Sequence, residues 1–260
     1  MNRDADPHVA GLRIHPVKAL DGTSVEAAEI TPGGTLAGDR EYALFGPEDK
    51  PINGKRTPLV HRLDADFDRG TAALTVDAGN GPETFHLEDD AGRTSAEMWF
   101  TEYFGIETTI GRAEGTGFVD RRSAGPSVIS TATIGEVASW FEDLSEEGVR
   151  RRLRANVEIG GVPAFWEDRF AGENATTFEA GGVTIRGVTP CGRCIVPARD
   201  PDTGEEIEGF RERFIERREA TFPEFADPEA FDHYFTLMLI ASVPEADRGT
   251  TLRVGDDVSR

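Results

Sequence analysis

Two thiols in one tetrapeptide, Cys191-Gly-Arg-Cys194, carry the most pointed chemistry in this chain, and no other cysteine occurs among its 260 residues. A thiolate is a soft metal ligand and a nucleophile. An adjacent guanidinium such as Arg193, together with backbone N–H groups, favours its charged form. The ordinary uses of such a pair fit poorly. A structural zinc ion takes four ligands, yet there is no second cysteine pair, and His8, His15, His61, His86 and His233 are isolated along the sequence. A thioredoxin-type pair opens a helix whose N-terminus lowers the thiol pKa. Here Ile195-Val-Pro197 and then Asp200-Pro-Asp-Thr-Gly204 follow, which reads as strand and turn. Two inert buried cysteines stay open as a reading, though the arginine between them makes burial less natural. If one cysteine gives the only protein bond to a metal, a cofactor must supply the rest, as a pterin dithiolene does for molybdenum.

Elements that could position these thiols are short and mostly extended. Strands are expected at Val9–Ile14, Val25–Ile30, Glu41–Phe45, Ala72–Val76, Glu83–Leu87, Asn156–Ile159, Thr176–Glu179, Val183–Val188, Cys194–Val196 and Thr251–Val254. Gly79-Asn-Gly-Pro82 would close a hairpin between two of them. Ile134, Val137, Ala138, Phe141 and Leu144 recur at helical spacing, predicting a helix over Thr133–Leu144 with a Thr133/Glu136 capping box. Shorter helices are expected before Phe104 and over Phe210–Glu219. The expected class is mainly β with a few helices (α+β). Asp120–Pro126 marks a boundary between a β module (8–119) and a second module (120–260), both small enough to share one core.

The formal net charge is −20, and a surface so acidic repels the phosphate backbone, excluding nucleic acid as a natural partner. Only Lys18, Lys50 and Lys55 are lysines. Abundant carboxylates with few lysines resemble proteins of salt-loving organisms. No apolar run is long enough to span a membrane, and the N-terminus lacks the apolar segment of a secretory signal, so a cytoplasmic location is expected.

The run from Cys191 to Gly204 resembles the signature of the MOSC superfamily (molybdenum cofactor sulfurase C-terminal domain). Ile14-His-Pro-Val-Lys18 and Gly38-Asp-Arg40-Glu-Tyr42 resemble elements of its associated N-terminal β-barrel module. Leu153-Arg154-Ala-Asn156-Val-Glu-Ile159 and Phe165-Trp-Glu-Asp168 resemble two further family elements, and all five occur in the expected order. Among such proteins the chain is similar to the amidoxime-reducing reductases of N-hydroxylated compounds. The resemblance implies a MOSC-type β-barrel plus an N-terminal β-barrel-like module. It implies that Cys194 is the metal ligand and catalytic centre for a molybdenum–molybdopterin cofactor, with tungsten an open variant. Lys18, Arg40, Arg154, Asn156 and Arg193 would contact the pterin or its phosphate, and Gly192 would offer only backbone. Ala19 stands where many relatives carry serine, and Ser123–Ser127 matches the family's cofactor loop only weakly.

The implied activity is reduction of N–O or S–O bonds of N-hydroxylated, N-oxide or S-oxide small molecules. With no cysteines left for an iron–sulfur cluster, electrons would come from a separate donor such as a ferredoxin or a cytochrome/reductase. Two alternatives are a carrier of cofactor or sulfur without turnover, and a sulfur-transfer domain using a Cys194 persulfide.

Overall fold

The computed structural model describes residues 6–120, 125–173 and 176–260. The expected boundary segment Asp120–Pro126 and the Ser123–Ser127 loop therefore lie partly outside the described residues. The first part contains β1 (His8–Ile14), β2 (Thr23–Val25), β3 (Ala27–Glu29), β4 (Tyr42–Gly46), β5 (Lys50–Pro51), β6 (Asp64–Asp68), β7 (Ala73–Asp77), β8 (Glu83–His86), α1 (Asp90–Phe104) and β9 (Thr109–Arg112). Then come β10 (Ser127–Ser130), α2 (Thr131–Ser139), α3 (Glu146–Leu153), β11 (Val157–Gly160), β12 (Thr177–Ala180), β13 (Val183–Gly192), α4 (Phe210–Ala220), β14 (Thr236–Ser242), β15 (Thr251–Arg253) and β16 (Val258–Ser259). The class is mainly β with helices, as expected.

Eight strands form one sheet in the order β16-β12-β13-β14-β10-β11-β1-β2. Only β10 and β11 run parallel. The sheet curls until β16 meets the start of β1. His8 bridges Asp257, Val9 N donates to Asp256 O (2.8 Å), and Val258 N donates to Pro7 O (2.9 Å). Closing the sheet into a barrel removes the unpaired edges that an open sheet would expose. Alternate inward residues of its strands, among them Val9, Val157, Ile159, Phe178, Val183 and Ile185, fill the interior with Trp166 and Phe170.

β1 and β2 precede residue 120 yet lie in this barrel, and β3 pairs with β15. A separate core is drawn wholly from Val17 to Ile110. It is built from the β5-β4-β9 and β6-β7-β8 sheets and from α1, whose Phe100 is buried beside Trp99, Tyr103 and Phe104. The expected hairpin forms between β7 and β8, with Asp77 Oδ1 accepting from Gly79 N (2.7 Å) and Gly81 N (3.1 Å) in the turn. A third cluster lies on the outside of the barrel, where α2, α3 and α4 cover Ile129, Phe235 and Leu237.

Three local expectations need correction. The predicted helix over Thr133–Leu144 starts earlier and stops at Ser139. Its cap is Ser130, whose Oγ accepts from Thr133 N (3.0 Å), while Thr133 Oγ1 accepts from Phe165 N (2.6 Å). The predicted strand Val25–Ile30 breaks at Glu26 into β2 and β3, which serve different sheets. Cys194–Val196 is not a strand. The chain leaves β13 at Gly192 and enters a 3-10 turn at Val196–Ala198, where Pro197 lacks a ladder donor and fixes its φ in the turn range.

Candidate functional site

The cysteine segment hangs from the end of the β13–β14 ladder. Gly192 pairs with Thr236, and Arg193 N donates to Phe235 O (2.8 Å). Side chains of an extended segment alternate between two faces. Cys191 and Ile195 pack against the outer core, and Arg193 turns to the same side, where Nη1 meets Cys191 Sγ (3.3 Å) and Met238 Sδ (3.7 Å). Gly192, the last residue of β13, accordingly belongs to the opposite face, and Cys194 lies two residues past the end of the strand. Both thiols are free and half-buried.

Arg193 was expected beside the Cys194 thiolate and against a cofactor. Its guanidinium instead reaches the end of α3, where Nη2 donates to Leu153 O (3.1 Å) and Arg152 O (3.5 Å). Those last-turn carbonyls have no partner inside the helix, so a cation there is doubly favourable. Asn156, also expected at the cofactor, is buried and committed. Its Oδ1 accepts from Ser127 N and Oγ (3.1 and 3.0 Å), and its Nδ2 donates to Arg13 O (3.1 Å), tying β10 to β1.

Downstream, the Asp-Pro-Asp-Thr-Gly run is a turn with a mechanical explanation. Asp200 Oδ1 accepts from Asp202 N (3.0 Å), Thr203 N (2.9 Å) and Thr203 Oγ1 (3.1 Å). Gly204 has φ +74°, and a Cβ there would meet Pro58 O at 2.5 Å. Arg62 Nε donates to Thr203 O (3.0 Å), so the turn is docked on the N-terminal part of the chain.

Between the two parts lies a cavity of about 620 Å³. Its rim carries exposed Asp64, Glu147 and Asp202, while His15, Leu63 and Arg154 form its inner wall. Arg13 pairs with Glu147 (2.9 Å), and Arg151 with Asp202 (2.7 Å) and Asp21 (3.6 Å). Arg154 caps α3 in the left-handed region (φ 59°). Among the described residues its guanidinium has no ion-pair or hydrogen-bond partner. Burial, and then the neighbouring Arg40 cation, hold its pKa down to about 10. Arg40 is itself paired with Asp39, and Asp21 and Asp39 offset part of the repulsion, so among the described residues Arg154 is the cation on this wall with a free donor set for an anion.

Arg40 does not line the cavity and is paired with Asp39. Against its burial, Arg40 and His15 hold the Asp39 carboxyl well below the usual range. His15 is buried, and desolvation and then Arg154 push its pKa down to about 3, so the ring is neutral. Lys18 donates from Nζ to Asp120 Oδ1 (2.7 Å), and the Asp120 carboxyl is lowered because Lys18, with help from Lys55 and Arg40, outweighs its burial. Of the expected contacts, Lys18, Arg40 and Arg154 thus share one electrostatic neighbourhood, but only Arg154 lines the cavity; Cys194 and Gly192 do not. Sequence reasoning missed His15. It stood in the sequence only as part of the Ile14–Lys18 element; the structure packs it so closely on Gly22 that a Cβ there would strike the His15 ring at 2.5 Å.

Glu167 and Asp168 are buried under the barrel wall. Asp168 pairs with Arg218, which is buried beneath Phe165, Phe222 and Phe231. Burial and the Asp168 charge push Glu167 up to about 8. Burial also raises Asp168, to about 6, with Arg218 pulling it back.

No group of three or more His, Cys, Asp or Glu able to hold a metal occurs among the described residues. A metal on Cys194 would therefore need ligands that are not side chains of this chain. The free thiol of Cys194 and the unpartnered Arg154 fit a cofactor that brings its own sulfur ligands and an anionic group.

The fold and these sites define a MOSC protein: the MOSC N-terminal beta barrel domain matches residues 6–147 and the MOSC domain matches 124–259, and the chain belongs to this family. It is similar to mitochondrial amidoxime reducing component 2 of Bos taurus, at 24% identity over 96% of this chain and 82% of that one. It is likewise similar to mitochondrial amidoxime-reducing component 1 of Homo sapiens, at 22% identity over 96% and 82%. A crystal structure of the YUAD protein from Bacillus subtilis overlaps with a TM-score of 0.41 at 12% identity, covering 98% of this chain and 94% of that one. That overlap is too loose to carry residue correspondences. Among the described residues, no helix is long and apolar enough to cross a membrane.

Proposed function

We propose that this chain binds molybdenum–molybdopterin through Cys194 and reduces N–O or S–O bonds of small molecules, with electrons from a separate donor protein. The observation that carries this reading is the placement of Cys194. It is a free, half-buried thiol just past the end of β13, next to an arginine whose guanidinium donates to the carbonyl before Arg154, itself without an acceptor among the described residues. The named activity of the amidoxime-reducing relatives supports the same reading.

When bound, the cofactor supplies a two-electron couple and an open coordination position for the substrate oxygen. The chain supplies the rest. Cys194 is the protein's single bond to the metal. Arg154, with Arg40 and Lys18 nearby, neutralises the anionic group, and Gly192 leaves backbone beside the thiol. Arg193 and Asn156 act by holding the loop and the strands. Two electrons and two protons convert an N–OH group to N–H and water.

The test is turnover of a benzamidoxime-like substrate by molybdenum-loaded protein with an artificial reductant. Turnover supports the reading, and persistent inactivity at stoichiometric metal favours a carrier of cofactor or sulfur. The purified chain with NADH alone should not turn over. We also propose a cytoplasmic location and a salt-rich medium, the latter supported by the −20 charge and three lysines. Stability that rises steeply with added salt would support it.

A further inference from the structure

Beside Gly192, two residues before Cys194, one side chain from a neighbouring strand end stands closest. A Cβ at residue 192 would lie 3.6 Å from both Nε2 and Cε1 of His233. His233 is exposed on the segment leading into β14. Its ring is fixed by Thr236 at the start of that strand. Thr236 Oγ1 donates its only proton to His233 O (2.7 Å), and the same oxygen lies 3.2 Å from His233 Nδ1. With that proton spent, Thr236 Oγ1 is an acceptor, so Nδ1 carries the ring hydrogen and Nε2 offers a lone pair. Thr236 is itself buried and paired with Gly192, so ring and cysteine segment move as one unit.

We propose that His233, packed beside Gly192 two residues from the thiol, is a specificity-determining residue of this site: its Nε2 accepts a hydrogen bond from an N–H or O–H on the substrate and so turns the N–O bond toward Cys194. This rests on the reading of Cys194 given above. A hydrogen-bond acceptor beside the reacting group discriminates by what the substrate donates. An amidoxime carries N–H and O–H donors next to its N–O bond. An N-oxide or S-oxide carries none there, and meets the lone pair of Nε2 with its own oxygen lone pairs.

The test compares kcat/KM for benzamidoxime and for a pyridine N-oxide in molybdenum-loaded wild type, His233→Leu and His233→Gln. The account expects the benzamidoxime-to-N-oxide ratio to fall about tenfold in His233→Leu, the worth of about one net hydrogen bond, chiefly through KM. His233→Gln, which restores an acceptor oxygen, should recover most of the ratio. An unchanged ratio in His233→Leu with an active wild type overturns this proposal alone. A loaded wild type inactive on both substrates overturns the reading of Cys194 and this proposal with it. A second readout needs no metal. Long-range ¹H–¹⁵N correlation on the metal-free protein should show His233 as the Nδ1–H tautomer, and Thr236→Val should abolish that preference. An Nε2–H tautomer in the wild type overturns the proposal.

Discussion

Arg193 Nη2 lies 3.1 Å from Leu153 O, so the arginine of the cysteine segment caps the helix that ends immediately before Arg154. One side chain thereby fixes the distance between the loop holding the thiol and the cation on the cavity wall. Hydrogen bonds from a charged donor contribute about 1.5–3 kcal/mol each when partly buried. Arg193→Leu should therefore cost about 2 kcal/mol in urea unfolding. Arg193→Lys should recover less than half, because an ammonium cannot fork between two carbonyls and a thiol. A Leu variant as stable as the wild type would show that the contact contributes nothing.

Gly204 offers a second structural test. Its positive φ and the 2.5 Å approach of a hypothetical Cβ to Pro58 O make every other residue strained there. Gly204→Ala should lower stability by about 1–3 kcal/mol and loosen the turn from Pro58 and Arg62, measurable as a lower urea midpoint.

Glu167 predicts a distinctive pH dependence. Its folded pKa, about 8, lies above the ordinary 4.5, so the native state holds a proton that the unfolded chain has already lost. Stability from this group is complete below about pH 4.5 and falls as pH rises through about 8, by at most about 1.4 kcal/mol per pH unit. Asp168, raised to about 6, adds a slope of the same sign at lower pH. Glu167→Gln keeps an acceptor for Ser130 N and should flatten the alkaline part of the curve. A wild-type stability that rises from pH 6 to 8.5 would contradict the assignment.

His15 behaves oppositely. Its folded pKa near 3 lies below the ordinary 6.5, so the unfolded chain takes up a proton first. Its contribution is present above about pH 6.5 and is lost as pH falls toward 3. The His15 ring resonances should not titrate between pH 8 and 4. A midpoint near 6 would mean that the ring is far more open to water than its burial implies.

Much of the fold was legible because turn chemistry is local. Asp77, Gly79 and Gly81 closed their hairpin as expected, and the segment Phe210–Glu219 forms the expected helix, with Phe210, Phe214 and Arg218 on its buried side. β14 was missed because Thr236–Ser242 is an almost continuous apolar run buried on both sides, with no alternation to read. α3 was missed because only Val149 and Leu153 are apolar in a segment otherwise full of charge. Ile195-Val196 suggested a strand, and Pro197 turned it into a 3-10 turn. At the site, the cysteines and Arg154 stood out by type and context. The direction of Arg193 did not, because which face residues 191 and 193 share depends on where β13 ends. The structural partners of Asn156 were hidden for a similar reason. Its partners Ser127 and Arg13 are distant in sequence, and only the β10-β11-β1 order brings them together.

The most direct test of the account is molybdenum and pterin content per chain for wild type, Cys194→Ala and Cys191→Ala, all purified from a host that makes the cofactor. The account predicts about one metal per wild-type chain, its loss with fold retained in Cys194→Ala, and its retention in Cys191→Ala. Metal that survives in Cys194→Ala but vanishes in Cys191→Ala, or a wild type that emerges without molybdenum, tungsten or pterin, would contradict it.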